Sequence, residues 1–445
     1  MTRERRLMGV LGSRNSFSAA LGVVALVAAF NARPLSAQDS LPQNDTLHLT
    51  LATLLDSIQS SNPAIQQASH VTLAAHARRN ALGRILENPQ IEVQHASTNS
   101  WQVYGLQPVP WPWQFSARKR FGDADIAVAH AEEQARTDSV ALDAAQRFAD
   151  ALRSRAELAL SAQAESLARA AVDRAVAARQ LGQAGDLALL QARVSLDAAR
   201  RERNTALERS RLAVANLAIV LGVPPDAPII VEGDLGTLAP VTEPDSGFYA
   251  QAAGSDPELN RLEALSTRAR REASMWRAQG RIPALSIGPT YGWTINNRPP
   301  GTPRIKYLGL DFTIDIPIWH GRHAEVEAAN EDRASAEQGH VARERELSIV
   351  VLEATSTLSR AERQLSALRG GELARAAQAE SLASGALRQG GPYLAVWLAA
   401  RQGLLDARRA ELDLTWQAAR ARLMLQYLTG TLLEKPDEEG KGNDQ

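Results

Sequence analysis

Apolar and polar residues alternate along two consecutive segments in the second half of the chain. The apolar positions are Leu285, Ile287, Pro289, Tyr291, Trp293 and Ile295, then Leu308, Leu310, Phe312, Ile314 and Ile316. A period of two is typical of β-strands with one apolar face. A turn rich in proline and glycine, residues 296–303, separates the segments. The pattern predicts a strand hairpin over residues 284–316, and a shorter, less regular version predicts another over about 90–110.

Two longer segments have a helical pattern instead. Residues 122–181 and 321–389 are rich in Ala, Glu, Arg and Gln and contain no proline. Sixty helical residues span roughly 90 Å, far more than an ordinary globular helix, so the pattern indicates a coiled coil or helical array. Each segment meets a glycine-containing turn, and a second helical pattern then runs back to Gly222 or Gly430. The sequence therefore predicts two long antiparallel helical hairpins.

This arrangement is built twice. Landmarks of the first returning helix recur 208 positions later: Gly182, Ala192, Arg193, Leu217 and Gly222 correspond to Gly390, Ala400, Arg401, Leu425 and Gly430. Two earlier prolines, Pro63 and Pro89, recur 194 positions later. The duplication predicts structural repeats over residues 38–222 and 247–430, with the long hairpins at 122–222 and 321–430. A loop-like connector, 223–246, joins the repeats, and residues 431–445 are expected to be a disordered tail.

The strand patterns fit two environments. They are about as long as a tilted strand that crosses an outer membrane, and a half-buried sheet of a soluble protein gives the same alternation. Aromatic residues lie near the strand ends: Trp101, Tyr104, Trp111, Trp113, Trp293, Tyr307 and Trp319. Four strands leave open edges that hydrocarbon does not tolerate, so membrane strands would require several copies. Asp311 and Asp315 would then face a barrel lumen, whereas in a soluble sheet they would face solvent.

The first residues predict an export signal, residues 1–37, with a basic start, an apolar stretch over 17–30 and a small-residue cleavage site. A membrane-anchoring helix is the alternative, although the apolar stretch is shorter than the ~20 residues that a span needs. Forty-nine basic against fifty acidic residues give no sign of nucleic-acid binding. The absence of cysteine excludes disulfides, a cysteine nucleophile and a lipid attached to cysteine.

No enzyme motif of the common nucleophile, zinc, phosphate or dinucleotide types is present, so the sequence predicts no enzyme and no cofactor. His320 and His323 have a spacing that could place two metal ligands together, but a solvated turn is the alternative because no third ligand accompanies them. The remaining histidines are interpreted as dispersed surface residues: His48, His70, His76, His95, His130 and His340.

The order of these landmarks resembles the outer-membrane efflux protein family, the TolC-like outer membrane factors. The resemblance rests on the first helix ending at Asn62-Pro63, on Asn88-Pro89 before the first strand, on the two glycine-containing tips, and on Ala-Arg after each tip. It covers almost the whole mature chain. The segments 106–122 and 316–321 are similar to the heavy-metal efflux branch, but Ala117-Arg118 replaces a glycine expected before the basic pair.

The resemblance implies a mainly α fold with a membrane β-barrel. A homotrimer would form one barrel of 12 strands, four from each protomer, above a long periplasmic tunnel of helices. It implies docking and gating at the tips by Gly182, Gln183, Gly185, Asp186, Gly390, Gly391 and Pro392. For Asp186 the alternative is an N-cap of the returning helix, and the two roles can coexist. Asp186 corresponds to Leu394 in the second repeat, so the two tips are expected to differ.

Taken with the duplicated strand and helix pattern, this resemblance implies a passive outer-membrane exit duct that extends into the periplasm and carries small molecules or metal ions. Its partners would be outer-membrane lipid, a periplasmic adaptor and an inner-membrane pump, with an RND pump favoured over an ABC exporter. An outer-membrane component of type I protein secretion is one alternative. A secreted or periplasmic structural coiled-coil protein is an alternative of another class, in which the strands form a small soluble sheet.

Overall fold

The computed structural model describes the chain from Thr46 to Leu433 with several gaps. The described residues are 46–84, 88–96, 100–181, 185–238, 247–281, 284–294, 305–315, 321–388 and 394–433. The predicted export signal, residues 1–37, and most of the predicted tail lie outside them. None of the described helices carries an apolar stretch long enough to cross a bilayer.

The first half contains two short helices, a strand hairpin and a long helical hairpin. Its elements are β1 (Leu47–Leu49), α1 (Leu51–Ser61), α2 (Pro63–Leu82), β2 (Gln90–Ala96), β3 (Ser100–Val109), α3 (Pro112–Gln180) and α4 (Asp186–Leu221). The helix expected from residue 122 begins ten residues earlier, because Pro112 suits the first helical position. Gly122 lies inside α3, where a Cβ would come 2.9 Å from Cγ of Arg79 on α2.

The connector between the repeats is not the featureless loop that its prolines predict. It contains β4 (Ile229–Val231) and a 3₁₀ turn, Leu235–Thr237. Strand β4 pairs in parallel with β1, and the amide of Glu232 donates to the carbonyl oxygen of Leu49 at 2.8 Å. The connector therefore fastens the start of the described chain to the middle of the molecule.

The second half repeats the order of the first. Its elements are α5 (Phe248–Ser255), α6 (Pro257–Arg281), β5 (Ala284–Thr294), β6 (Ile305–Asp315), α7 (His323–Ala367), α8 (Leu373–Arg388) and α9 (Leu394–Leu428). The single helix expected over 321–389 is interrupted by a π-helical turn, Leu368–Glu372. This turn contains Gly370 and Gly371, and glycine is a poor residue for a helix interior.

The four long strands form one antiparallel sheet in the order β2-β3-β5-β6. The predicted strands are confirmed, and the apolar residues at every second position of β6 lie on one exposed face of the sheet. Leu308 is 80% exposed, Leu310 63%, Phe312 59% and Ile314 56%. The opposite face carries Glu92, Tyr104 and Asp311. Strands β2 and β6 are the edges of this sheet within the single chain.

Two large apolar cores occur among the described residues: the first combines the first repeat with part of α9, and the second lies within the second repeat. The two cores use equivalent positions. Leu54 and Ile58 lie in the first core, and the residues 194 positions later, Phe248 and Ala252, lie in the second. Tyr427 on α9 packs against both cores. Its burial, reinforced by the carboxylate of Asp256, raises the pKa of the Tyr427 hydroxyl. The predicted disordered tail is wrong for its first residues, because Leu432 is buried in the first core.

Candidate functional site: the helical tips and the sheet

The first tip is the turn from α3 to α4. Gly182 and Gln183 lie outside the described residues, and Gly185 and Asp186 lie at the start of α4. The N-cap interpretation of Asp186 is wrong, since Gly185 occupies the cap position and Asp186 lies in the first turn. Its carboxylate pairs instead with Arg179 at the end of α3, with 2.7 Å between Nε and Oδ1. This ion pair connects the two arms of the hairpin at the tip.

Apolar side chains are exposed along one side of α4 directly behind this tip. Leu187 is 68% exposed, Leu190 56% and Val194 67%, and intervals of three and four residues place them on one face. Leu189, Ala192 and Leu196 on the other face are buried against α3. We call Leu187, Leu190 and Val194 the tip stripe. Within the single chain, this stripe has the composition of a surface that binds another protein.

The second tip packs differently from the first. Gly390, Gly391 and Pro392 lie outside the described residues. Behind them on α9, Trp397 is buried against Ala171 of α3 and Ala383 of α8. The guanidinium carbon of Arg174 lies 4.6 Å from the centre of the Trp397 ring, a cation–π contact. The second hairpin is therefore packed against the first near its tip, whereas the tip stripe stays exposed.

The polar face of the sheet brings together side chains from all four strands. Glu92 lies opposite Tyr104, Tyr104 lies opposite Thr290, and Asp311 lies opposite Gly288 on the neighbouring row. Asp315 ends β6 opposite Ala284. Strand β5 approaches β3 closely at Gly288, where an added Cβ would clash with the backbone of Gly105. Asp311 lies on the same face of the sheet as Glu92. The side chain of Asp315 lies outside the described part of the structure.

The histidine pair suggested by the sequence is only partly visible. His323 begins α7, and His320 lies outside the described residues. No group of three or more His, Cys, Asp or Glu side chains placed to hold a metal occurs in the described part of the chain.

Comparison with known proteins gives a family match in the second half. Residues 248–431 match the family described as Outer membrane efflux protein. Residues 248–431 therefore belong to the outer membrane efflux protein family. The internal duplication extends the same architecture through the first half. The protein is therefore an outer-membrane efflux channel whose helices extend into the periplasm, and its family comprises channels rather than enzymes.

Solved structures share the fold over most of the length. A membrane protein from Pseudomonas aeruginosa has a TM-score of 0.71 at 16% identity, covering 85% of this chain and 92% of its own. The Neisseria gonorrhoeae MtrE outer membrane channel in its open state has a TM-score of 0.69 at 14% identity, covering 86% and 89%. The Campylobacter jejuni CmeC channel has a TM-score of 0.67 at 14% identity, covering 97% and 96%. No curated protein matches the sequence.

Side chains between α3 and α9 hold the two hairpins of the efflux protein together. The indole Nε1 of Trp416 donates to Asp150 at 2.7 Å, and Arg153 pairs with Asp413 at 2.7 Å. The guanidinium groups of Arg153 and Arg420 lie 4.3 and 5.0 Å from the Trp416 ring centre. No sequence pattern indicates this contact, because its residues are far apart in the chain. This contact between α3 and α9 joins the two hairpins into one layer of helices.

A partly buried carboxyl group on α3 leads to a pH-dependent prediction. Burial raises the pKa of Asp138 on α3, so its stabilising contribution is complete below the unfolded pKa, about 3.9, and is lost as pH rises through the folded pKa. We expect Asp138→Asn to raise the unfolding temperature at pH 7 and to change it little near pH 3. Thermal unfolding followed by circular dichroism checks this.

The matched control for this prediction is Asp143→Asn on the same helix. Asp143 pairs with Arg147 at 3.0 Å and is 49% exposed, so its replacement should not stabilise the protein at pH 7. A gain for Asp138→Asn that persists unchanged at pH 3 would contradict the desolvation argument.

Proposed function

We propose that the efflux protein is a homotrimeric exit duct of a tripartite system, and that it carries small molecules or metal ions passively to the exterior. The observation that carries the proposal is the open four-stranded sheet above two long helical hairpins. Among the described residues, strands β2 and β6 each have one edge without a neighbouring strand, and a membrane strand requires its backbone groups to be paired. Three copies joined edge to edge would supply 12 strands, and their helices would line a tunnel below them.

The faces of the sheet support this arrangement. The exposed apolar row of β6 suits contact with lipid tails, and the face with Glu92 and Asp311 suits a water-filled lumen. Carboxylates in such a lumen would favour cations over anions. Within the trimer, Asp311 and Asp315 are therefore proposed as lumen residues.

Partner binding is proposed at the tips. A periplasmic adaptor would dock on the tip stripe and on the turn around Gly185 and Asp186, and an inner-membrane pump, of the RND type in preference to an ABC exporter, would supply the energy. The exposed apolar stripe on a helix end supports docking by a partner helix. Because Trp397 packs the second tip against α3, the two tips would offer a partner different surfaces.

The proposal is tested by deleting the gene and measuring sensitivity to metals, dyes and antibiotics. We expect increased sensitivity to at least one class and restoration by the wild-type gene. Complementation with Leu187→Glu plus Leu190→Glu should fail, because placing charges in an apolar docking surface typically weakens binding by more than about tenfold. Gln191→Glu adds a charge to the same helical turn without removing an apolar side chain, and should complement.

Three outcomes would contradict the proposal. Unchanged sensitivity to every compound, with reduced export of a secreted protein, would instead favour type I secretion. Full complementation by the tip-stripe variant would remove the docking role of these residues. A monomer of the detergent-purified protein, measured by light scattering, would contradict the trimeric duct.

A further inference from the structure

Two histidines that are 54 positions apart in the sequence meet on the helices below the sheet. The rings of His76 on α2 and His130 on α3 lie edge to face, with 5.6 Å between their centroids and 79° between their planes. Both residues are exposed. Their spacing in the sequence predicts only dispersed surface residues, because the pairing depends on how α2 packs along α3.

The separation of these rings suits a shared metal ion. A zinc–imidazole bond of about 2.0–2.1 Å places the ion roughly 3.2 Å from the ring centroid. Two rings with centroids 5.6 Å apart would then subtend an angle of roughly 120° at the ion, close to the tetrahedral geometry that zinc prefers.

A carboxylate beside His130 completes the pattern expected around a metal-binding imidazole. Nδ1 of His130 lies 3.8 Å from Oε2 of Glu133, close enough for an ion pair but beyond hydrogen-bond distance. The hydroxyl of Thr72, whose side chain is buried on α2, lies 2.7 Å from the same carboxylate oxygen and holds it in place. Metal-binding histidines commonly direct their second ring nitrogen at a carboxylate, which fixes the tautomer and orients the ring. A small rotation of the His130 ring would bring Nδ1 within hydrogen-bond distance of Glu133 and would leave Nε2 as the nitrogen available for an ion.

The pair occurs in only one of the two repeats. The position 194 residues after His76 is Arg270, which cannot ligate a metal in its protonated state. The site is therefore specific to the first half, and it is not a consequence of the shared architecture of the repeats.

We propose that His76 and His130 bind one divalent transition-metal ion per chain, such as Zn²⁺, and that Glu133 orients His130 for this purpose. The remaining coordination positions would be taken by water, since the described residues supply no group of three donors. Imidazole is a suitable ligand for zinc, copper and nickel ions. The bound ion would join α2 to α3, so the site is distinct from the lumen and from the tips.

Titration calorimetry of the full-length protein in detergent, without a histidine tag and after treatment with a chelator, tests the site with ZnCl₂ as the probe. We expect saturable binding of one Zn²⁺ per chain in the micromolar range. His76→Gln and His130→Gln should each weaken it more than tenfold, and Glu133→Gln about tenfold. His70→Gln is the matched control on the same helix α2 and should leave binding unchanged.

A thermal shift provides a second measurement of the same variants. A ligand that binds only the folded state raises the unfolding temperature, so Zn²⁺ should stabilise the wild type and His70→Gln but not His76→Gln. Equal Zn²⁺ binding by the wild type and His76→Gln, or no saturable binding below about 100 μM, would overturn the metal site. Unchanged affinity of Glu133→Gln would overturn the orienting role of that carboxylate. None of these results depends on the efflux function.

Discussion

Replacing Asp256 with alanine is expected to lower the free energy of unfolding by about 3–5 kcal/mol, the usual cost of breaking a buried ion pair. Asp256 is fully buried. Its Oδ1 accepts from the amide of Leu259 at the start of α6, and its Oδ2 accepts from the guanidinium of Arg343 on α7 at 2.8 Å. The hydrogen bond to Asp256 is the largest cause of the raised pKa of Arg343. Alanine would leave Arg343 partly buried without this partner and α6 without its cap.

Asparagine at the same position separates the two contributions. Asp256→Asn should retain the N-cap, which is worth about 1 kcal/mol, but lose the ion pair, so it should fall between alanine and wild type. Urea unfolding of the detergent-solubilised protein at pH 7, followed by the helical circular dichroism signal, measures all three. The control is Asp406→Ala, an exposed carboxylate on α9 that pairs with Arg409 at 3.4 Å and should cost little. A loss for Asp256→Ala no larger than that of Asp406→Ala would contradict the role of the buried pair.

The position of this cap was visible in the sequence, but its partner was not. Asn62-Pro63 and Asp256-Pro257 recur at a fixed interval, and each side chain accepts hydrogen bonds at the start of the helix that its proline begins. Asn62 also donates to the carbonyl oxygen of Val220 on α4 at 2.6 Å, whereas Asp256 binds Arg343 on α7. The Asn-Pro and Asp-Pro motifs therefore predict where these helices begin. The choice between α4 and α7 depends on the packing of distant helices, which no short motif encodes.

Long secondary-structure elements were predicted from their sequence patterns more successfully than short ones. Strands β5 and β6 have eleven residues each, enough for several periods of alternation, and were predicted. Strands β1 and β4 have three residues each, too few to show a period, and were missed. The π-helical turn at Leu368–Glu372 was also missed, although its two adjacent glycines weaken the helix at that point.

For the candidate sites, the sequence predicts where each residue lies in the fold but does not predict which side chains it contacts. Asp186 was placed at the tip correctly, but its bond to Arg179 crosses the turn and replaced the expected cap. The sequence does not relate His76 to His130, because they lie on different helices. The exposure of the tip stripe likewise followed only from knowing which face of α4 meets α3. Helical periodicity gives the angular order of residues, and tertiary packing determines which side is covered.

Replacing Gly222 with valine is expected to destabilise the protein by about 3 kcal/mol or more, because the site opposes a side chain in two ways. Gly222 ends α4 with φ of 74°, a left-handed conformation that β-branched residues rarely adopt. A Cβ at this position would also lie 2.8 Å from the carbonyl oxygen of Ser61, next to the cap residue Asn62. Backbone atoms cannot move aside as a flexible side chain can, so the end of α4 would be displaced from α1.

The equivalent glycine in the second repeat makes this a test of the duplication as well. Gly430 has φ of 75°, but a Cβ there would meet the Cβ of Ser255 at 3.3 Å. Gly430→Val should therefore be destabilising, yet less so than Gly222→Val. Gly254→Val is the control, since Gly254 is exposed in α5 with no atom within 4 Å of an added Cβ, and its cost should stay within about 0.5 kcal/mol. Urea unfolding ranks the three variants. If Gly222→Val unfolds at the same urea concentration as Gly254→Val, the left-handed turn at Gly222 does not contribute to stability, and the prediction is wrong.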